Sequence, residues 1–196
     1  GTGLLYRDQS KAAWATQMNM QTGITSVMNT SESAKFFNPA HPEVQTFLCN
    51  LLKDLASYDL DGIFLDRGRF LNLQADFSEE SRKQFEAYMG GIKIQNYPDD
   101  ILAPGASSLP ATYPKYMTKW LEFRAKVIYD FMQKARTAVK EVNSKIKFGV
   151  YVGGWYSSYY DVGVNGAAAT YDTSRYYKWA TGKYMNYGYA ACMDQI

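Results

Sequence analysis

Two parts of the chain repeat one order of elements, an amphipathic helix followed by a short apolar strand. The first joins a helical pattern at residues 42–57 to a strand pattern at 62–66, which contains the apolar run 62–65. The second joins a long helical pattern at 114–144 to a strand pattern at 145–152. In both helices apolar residues recur at helical spacing. Alternation of this kind predicts an α/β fold, with parallel strands in one sheet and helices outside it.

The remaining segments carry weaker patterns. An acidic first turn opens a further helix at 78–90, and the proline-rich connection 92–112 is predicted to include a short helix. Another helix is predicted at about 174–181, and 187–196 resembles the entrance to a strand. The first 35 residues are predicted as an apolar fragment, a mixed segment and a loop rich in Thr, Ser and Asn.

The number of strands limits the architecture. Three or four parallel strands do not close a barrel, and the last apolar run at 187–196 has barely begun where the sequence stops. We therefore expect residues 1–196 to form a single segment of a larger domain. The long loops follow strands rather than helices, which places them on the carboxyl face where α/β folds keep their sites.

Charge and composition exclude several classes of function. The chain has 21 Lys and Arg against 19 Asp and Glu, a balance that does not favour nucleic acid as a partner. No apolar run has the length of a membrane span. One histidine, His41, and two distant cysteines, Cys49 and Cys192, do not suggest a metal site, and we expect no metal and no cofactor.

The aromatic content of the chain is unusually high. Aromatic residues make up 16% of the chain and include 17 Tyr, more than a core of this size needs. Many of these rings must therefore lie on surfaces or in clefts. Clefts that bind sugars favour them, because a ring offers an apolar face and Tyr adds a polar tip.

Two blocks carry a family resemblance. FFNPAHPEV at 36–44 and YDLDGIFLDRGRF at 58–70 resemble the NPxxPEV and YDvDGIhLDxxRY patterns of glycosyl hydrolase-like family 10. The similarity extends from Phe36 to Ile196, with further blocks at 76–81, 120–125 and 149–156. The resemblance implies a (β/α)8 TIM barrel distantly related to the alpha-amylase clan, of which this chain spans roughly the third to the sixth strand.

The same resemblance implies a partner and a location. It implies a carbohydrate substrate, and it implies that the remaining segments of the barrel pack against this chain. A secreted or periplasmic location is suggested by the resemblance only.

One carboxylate is well placed for chemistry. Glycoside cleavage commonly needs two carboxyl groups, one as acid and one as nucleophile or base. Asp66 directly follows Ile63-Phe64-Leu65, at the carboxyl end of the predicted strand. In the resembling clan the matching aspartate is the nucleophile, and Arg67 or Arg69 would hold Asp66 ionised. The alternative is an Asp–Arg pair that only caps the strand.

The general acid has no comparable candidate. The second strand ends in Tyr151-Val152-Gly153-Gly154-Trp155, without the glutamate that the amylase clan presents there. Asp161, in the following loop, is the only nearby carboxylate and so the candidate acid, although a structural role in the loop is favoured over catalysis. Asp194 fits the entrance to a strand better than catalysis. A third possibility is an acid outside these residues.

Aromatic and basic residues near the strand ends are predicted to bind sugar. The rings that follow the second strand would stack on sugar faces, with packing in the loop as the alternative. We expect Asp66 to share a cleft with Trp155 and Tyr156, because consecutive barrel strands deliver their loops to one face. The predicted substrate-binding residues are Arg67, Arg69, Tyr151, Trp155, Tyr156 and Tyr160.

Two functions follow from these residues. The first is a glycoside hydrolase acting on a poly- or oligosaccharide, with Asp66 as nucleophile or charge stabiliser. The second is a non-catalytic carbohydrate-binding barrel that has kept the cleft and lost one carboxyl group. Turnover that is lost in Asp66→Asn would support the first, and binding without turnover would support the second.

Overall fold

A computed structural model describes residues 3–196 and shows an α/β protein with short strands. Its helices are α1 (Leu4–Arg7), α2 (Pro42–Ala56), α3 (Glu79–Tyr88), α4 (Met117–Val142) and α5 (Gly182–Asn186). Its strands are β1 (Gln17–Met20), β2 (Gly23–Ser26), β3 (Gly62–Leu65) and β4 (Lys147–Val150). Short 3-10 helices cover Gln9–Trp14, Val27–Asn29, Tyr156–Val162, Thr173–Arg175 and Ala190–Cys192.

The parallel pairing of the two predicted strands is confirmed. β3 and β4 lie side by side in parallel, with Ile63 opposite Phe148 and Leu65 opposite Val150. A third segment joins the other edge of β4, because Gln195 forms a parallel bridge to Gly149. The end of the described chain therefore runs alongside β4, as the predicted strand entrance at 187–196 requires.

Helix α4 covers one face of this sheet, as the alternation predicts. Phe131, Ala135 and Val139 project from α4 into a buried cluster with Ile146 and Phe148 of the second strand region. α2 packs against α4 and contributes Leu52 and Ala56 to the same cluster. Burial of this apolar surface stabilises the layer of two helices on the sheet.

The opposite face of the sheet is open. Ile63 is 7% exposed under the helices, whereas the next residue, Phe64, is 52% exposed on the other side. Phe64 lies against Gly149 of the neighbouring strand, where an added Cβ would come within 2.5 Å of the ring. Since side chains alternate along a strand, Asp66 and Tyr151 continue this open face beyond the strand ends.

The predicted loop before Lys35 is wrong in part. β1 and β2 form an antiparallel hairpin with Gln17 opposite Ser26, and Gly23 adopts a φ of 114° at the turn. Polar residues obscured these strands in the sequence. Asn19 is fully buried in β1, where its side-chain amide donates to the carbonyl of Leu102. Hydrogen bonds between distant segments therefore hold β1 in the interior, a role that apolar side chains usually have and that an apolar pattern would have predicted.

Two predicted helices are also corrected. Within the described residues, 92–112 contains turns and no helix, because the backbone bonds there close short loops such as Leu102 N to Pro98 O. The helix expected at 174–181 is a 3-10 turn at Thr173–Arg175, and α5 begins only after Thr181. The Thr181 side chain accepts from the backbone N–H of Tyr184, so it caps α5 instead of lying inside a helix.

The other boundaries differ by a few residues. β3 and β4 each span four residues and are shorter than the predicted strands, and α4 begins three residues after the predicted Pro114. Every helix within residues 3–196 is too short or too polar to span a bilayer.

Candidate functional site

A cleft of about 260 Å³ lies where the loops after β3 and β4 meet. Parallel pairing puts the carboxyl ends of both strands at one edge of the sheet, so the two loops face each other. The charged and aromatic residues that line this cleft are Asp66, Arg67, Arg69, Tyr151, Trp155, Tyr159 and Tyr189. The predicted sharing of one cleft by Asp66 and Trp155 is therefore confirmed.

Asp66 is solvent-exposed in this cleft, directly after the last residue of β3. The next strand fixes the backbone here, because the N–H of Tyr151 donates to the carbonyl of Leu65 at 2.9 Å. Among the described residues Asp66 forms no ion pair with Arg67 or Arg69, so the Asp–Arg cap of the strand, given above as the alternative, is not present. The carboxylate is open to a ligand.

A tight turn presents the two arginines. Arg67 has a φ of 56°, an uncommon conformation for a residue other than glycine, and its carbonyl accepts from the N–H of Arg69 at 2.8 Å. The Arg69 guanidinium donates to the carbonyl of Leu71 at 3.2 Å. The Cζ atom of this guanidinium lies 5.8 Å from the centre of the Trp155 ring. Arg69 is thus a fixed part of the cleft wall, and Arg67 is exposed at its mouth.

Neighbouring charges act on Arg69. Partial burial lowers the pKa of Arg69, the positive charge of Arg67 lowers it further, and the negative charge of Asp66 opposes both. The three groups therefore interact electrostatically although no ion pair joins them. For Arg69, the nearby negative charge favours the ionised guanidinium, whereas the neighbouring positive charge disfavours it.

Two aromatic side chains offer surface to a ligand. Tyr151 is 71% exposed and Trp155 is 42% exposed. The edge of one ring meets the face of the other where Trp155 packs on Tyr159, with centroids 4.7 Å apart. The Tyr159 hydroxyl donates to the carbonyl of Gly153, which holds the turn before Trp155. Trp155 is consequently supported from behind and exposed in front, as stacking on a sugar requires.

Tyr156 and Tyr160 lie elsewhere. Neither lines the cleft, and both belong to a cluster of rings between the loop after β4 and α5. Tyr156 stacks on Tyr177 at 5.7 Å, and Tyr160 packs edge-on against Trp179 at 5.8 Å. Burial raises the pKa of Tyr156 to about 12. The expectation that Tyr156 shares the cleft with Asp66 is wrong, because the 3-10 turn after Trp155 directs this side chain into the cluster.

Asp161 also does not line the cleft. Its side chain is half-buried, with a buried Oδ1 atom that lacks a hydrogen-bond partner among the described residues. Burial raises the pKa of this carboxyl, and the charge of Arg124 opposes the shift. The structure does not bring Asp161 and Asp66 together, so Asp66 is the one carboxylate in the cleft lining of residues 3–196.

Arg124 supports both loops from below, and the sequence reasoning missed it. Its buried guanidinium donates to the carbonyl of Asn72 at 2.6 Å, in the loop after β3. It also donates to the carbonyls of Tyr160 at 3.2 Å and Asp161 at 2.9 Å, in the loop after β4. A signal existed, because Arg124 stands four residues from both Trp120 and Ile128 and so on the apolar stripe of α4.

Asp76 is a second residue that the sequence reasoning passed over. It is fully buried and accepts from the backbone N–H of Gln17 at 2.6 Å, from the N–H of Ser78 at 3.1 Å and from both serine hydroxyls of Ser78 and Ser81. Burial raises the pKa of Asp76, and these four hydrogen bonds oppose the shift. Asp76 joins β1 to the start of α3 and has a structural role.

No metal cluster was found within residues 3–196: they contain no group of three or more His, Cys, Asp or Glu side chains placed to hold an ion. What the cleft itself offers is an open carboxylate, two guanidinium groups and two exposed rings. A carboxylate can act as nucleophile or stabilise positive charge, guanidinium groups bind anions or hydroxyl oxygens, and rings bind the apolar faces of sugars.

Comparison with known proteins gives the family of this chain. The family model described as Glycosyl hydrolase-like 10 matches residues 7–187. An S-layer-related protein of Niallia circulans is 38% identical over 146 residues, which cover 68% of this chain. The match covers 9% of that relative's length. Because the family model matches most of the chain, the protein belongs to the glycosyl hydrolase-like 10 family.

Proposed function

We propose that this chain is a portion of a (β/α)8 barrel that hydrolyses glycosidic bonds in a poly- or oligosaccharide. Membership of the family supports a carbohydrate-related role. The observation that carries the proposal is Asp66, which lies exposed at the carboxyl end of a parallel strand, in one cleft with Trp155. Active sites of (β/α)8 barrels lie on this face.

In the proposed reaction Asp66 acts on the anomeric carbon of the sugar. Trp155 and Tyr151 would stack on the sugar and orient it. A carboxylate oxygen of Asp66 would attack the anomeric carbon as its bond to the leaving oxygen breaks, or stabilise the positive charge that develops there, and water would then bond to the anomeric carbon and complete the hydrolysis. Protonation of the leaving oxygen needs a second carboxyl group. Asp161 does not line the cleft, so we propose that the acid comes from a neighbouring segment of the barrel.

A carbohydrate-binding barrel without turnover is the second candidate. One observation favours it: Asp66 is the one carboxylate in the cleft lining of residues 3–196. A cleft with stacking rings and a single carboxylate can bind a sugar and lacks the pair of groups that common glycosidases use.

Replacement of Asp66 tests the enzymatic proposal. Release of reducing ends from a panel of polysaccharides would be measured for the protein and for Asp66→Asn. The amide is nearly isosteric, so we expect turnover to fall at least about a hundredfold while affinity changes little. Asp54→Asn, at an exposed position of α2, is the matched control and should keep full turnover.

The outcomes separate the two candidates. Full turnover in a folded Asp66→Asn protein would remove this residue from the mechanism. Binding without turnover in the unmodified protein would support the carbohydrate-binding candidate instead.

A further inference from the structure

We infer that the cleft accepts an acidic glycan, and that Arg67 recognises a carboxylate group on the sugar. This inference rests on the proposed function and names its substrate class. Three features of the cleft support it: the charge balance of the lining, the free side chain of Arg67 and the fixed position of Arg69.

Within residues 3–196, the cleft lining carries more positive than negative charge. Three charged residues line it, and Arg67 and Arg69 outnumber Asp66. A neutral sugar would leave one guanidinium without a counter-charge next to the carboxylate that acts on the substrate. A carboxylate on the sugar would balance this charge, and without a nearby cation it would be repelled by Asp66.

Arg67 is free to bind it. Within residues 3–196 its side chain forms neither an ion pair nor a hydrogen bond, and it is exposed at the mouth of the cleft. Its backbone is held in the left-handed region by the turn to Arg69. Uncommon backbone conformations of this kind persist only where the surrounding structure maintains them, and they cluster at active sites and ligand clamps.

Arg69 contributes its positive charge to the cleft, whereas its guanidinium already donates hydrogen bonds within the protein. Its guanidinium donates to Phe70 and Leu71 carbonyls and faces the ring of Trp155, so its position is set by the protein. The pKa of Arg69 is lowered by burial and next by the charge of Arg67. An anion bound at Arg67 would relieve this repulsion, which adds to the attraction for an acidic sugar.

The geometry of the group favours a carboxylate. A guanidinium presents planar N–H donors that match the two oxygens of a carboxylate, and such bidentate pairs are stronger than neutral hydrogen bonds. Trp155, on the same cleft, would stack on the apolar face of the ring that bears this carboxylate.

Matched pairs of glycans test the inference. Binding would be measured by calorimetry for cello-oligosaccharide against β-1,4-oligoglucuronate and for β-1,4-mannan oligomers against β-1,4-oligomannuronate. In at least one pair we expect the acidic member to bind roughly tenfold more tightly than its neutral counterpart. This preference should weaken as salt is raised.

Variants at Arg67 test whether this residue causes the preference for the acidic glycan. Arg67→Asn removes the charge and tolerates a positive φ, so it should fold and lose the preference for the acidic member. Arg67→Lys keeps the charge without the planar fork and should retain part of it. The control is Arg7→Asn, which removes an exposed guanidinium from the end of α1 and should keep the full preference.

Two other results are distinguishable. If neutral glycans bind as tightly as acidic ones, or if the preference survives Arg67→Asn, the inference is overturned while the proposed function stands. If no glycan in the panel binds, both the inference and the proposed function are overturned.

Discussion

Asp76 shows how much one buried side chain can organise. Its two carboxylate oxygens accept four hydrogen bonds, from Gln17, from the N–H and hydroxyl of Ser78, and from Ser81. In Asp76→Asn an NH₂ group replaces one oxygen and faces donors instead of accepting from them. We expect the free energy of unfolding to fall by about 1–3 kcal/mol, as measured by urea denaturation.

An exposed aspartate provides the comparison for Asp76. Asp99 is exposed on the loop before α4, so Asp99→Asn should change the free energy of unfolding by less than about 0.5 kcal/mol. Equal stability of the two variants would show that the hydrogen bonds of Asp76 do not hold β1 to α3.

At the scale of elements, the Phe64 ring of β3 packs closely on the backbone of Gly149 in β4. A Cβ on Gly149 would lie 2.5 Å from the Phe64 ring and 2.8 Å from the carbonyl oxygen of Gln195. Gly149→Ala should therefore lower the free energy of unfolding by about 1–3 kcal/mol. Gly154→Ala, where a Cβ meets nothing within 4 Å, is the control and should leave stability nearly unchanged.

A double variant separates the two contacts at Gly149. Phe64→Ala removes the ring and leaves the backbone of Gln195 in place. If the ring is the main obstacle, adding Phe64→Ala should make Gly149→Ala less costly than it is alone. Independent effects of the two substitutions would contradict the packing of Phe64 on Gly149.

Asp194 fixes the third segment of the sheet. Its carboxylate accepts from the N–H of Phe148 at 2.9 Å and pairs with Lys140 at 2.6 Å and Arg136 at 3.2 Å. The hydrogen bonds from Lys140 and from the Phe148 N–H lower the pKa of Asp194 below its ordinary value of 3.8. A carboxyl whose folded pKa is lowered stabilises the fold above its unfolded pKa.

The lowered pKa of Asp194 determines how the stability of the fold depends on pH. The contribution of Asp194 should be complete above about pH 5 and should be lost as the pH falls through 4 toward the lowered value. Asp194→Asn should cost about 1 kcal/mol at pH 7 and reduce the loss of stability on acidification, as measured by urea denaturation between pH 2.5 and 7. An unchanged acid slope would contradict this assignment.

At the scale of the whole molecule, an apolar groove of about 420 Å³ runs between α2 and the edge of β3 that pairs with no strand among residues 3–196. Leu51, Leu55 and Phe64 are exposed along it. Contiguous apolar surface beside an unpaired strand edge is what a neighbouring strand normally covers. We propose that another segment of the barrel occupies this groove.

Dye binding tests the open groove. Residues 1–196 alone should bind an apolar fluorescent dye, and Leu51→Ser with Phe64→Ser should reduce the fluorescence severalfold. Ile92→Ser is the control, because Ile92 is equally exposed but lies outside the groove. Equal fluorescence in both proteins would show that the groove is not accessible.

Periodic segments of the chain were predictable without a structure. The pairing of β3 with β4, the covering helix α4 and the position of Asp66 follow from apolar patterns and chain order, which depend on neighbours in sequence. The hairpin of β1 and β2 was not predictable this way. Asn19 and Asp76 hold it through hydrogen bonds to residues 83 and 59 positions away, and no local pattern records them.

The same division applies to the cleft. Local order was enough to place Asp66, Arg67, Arg69 and Trp155 at the strand ends. The directions of Tyr156 and Asp161 depended on a 3-10 turn, and the support of both loops depended on Arg124, which bonds to carbonyls up to 52 residues away. Residue types and periodicity therefore specify which elements form, whereas contacts between distant segments decide which side chains meet, because their geometry exists only after the chain has folded.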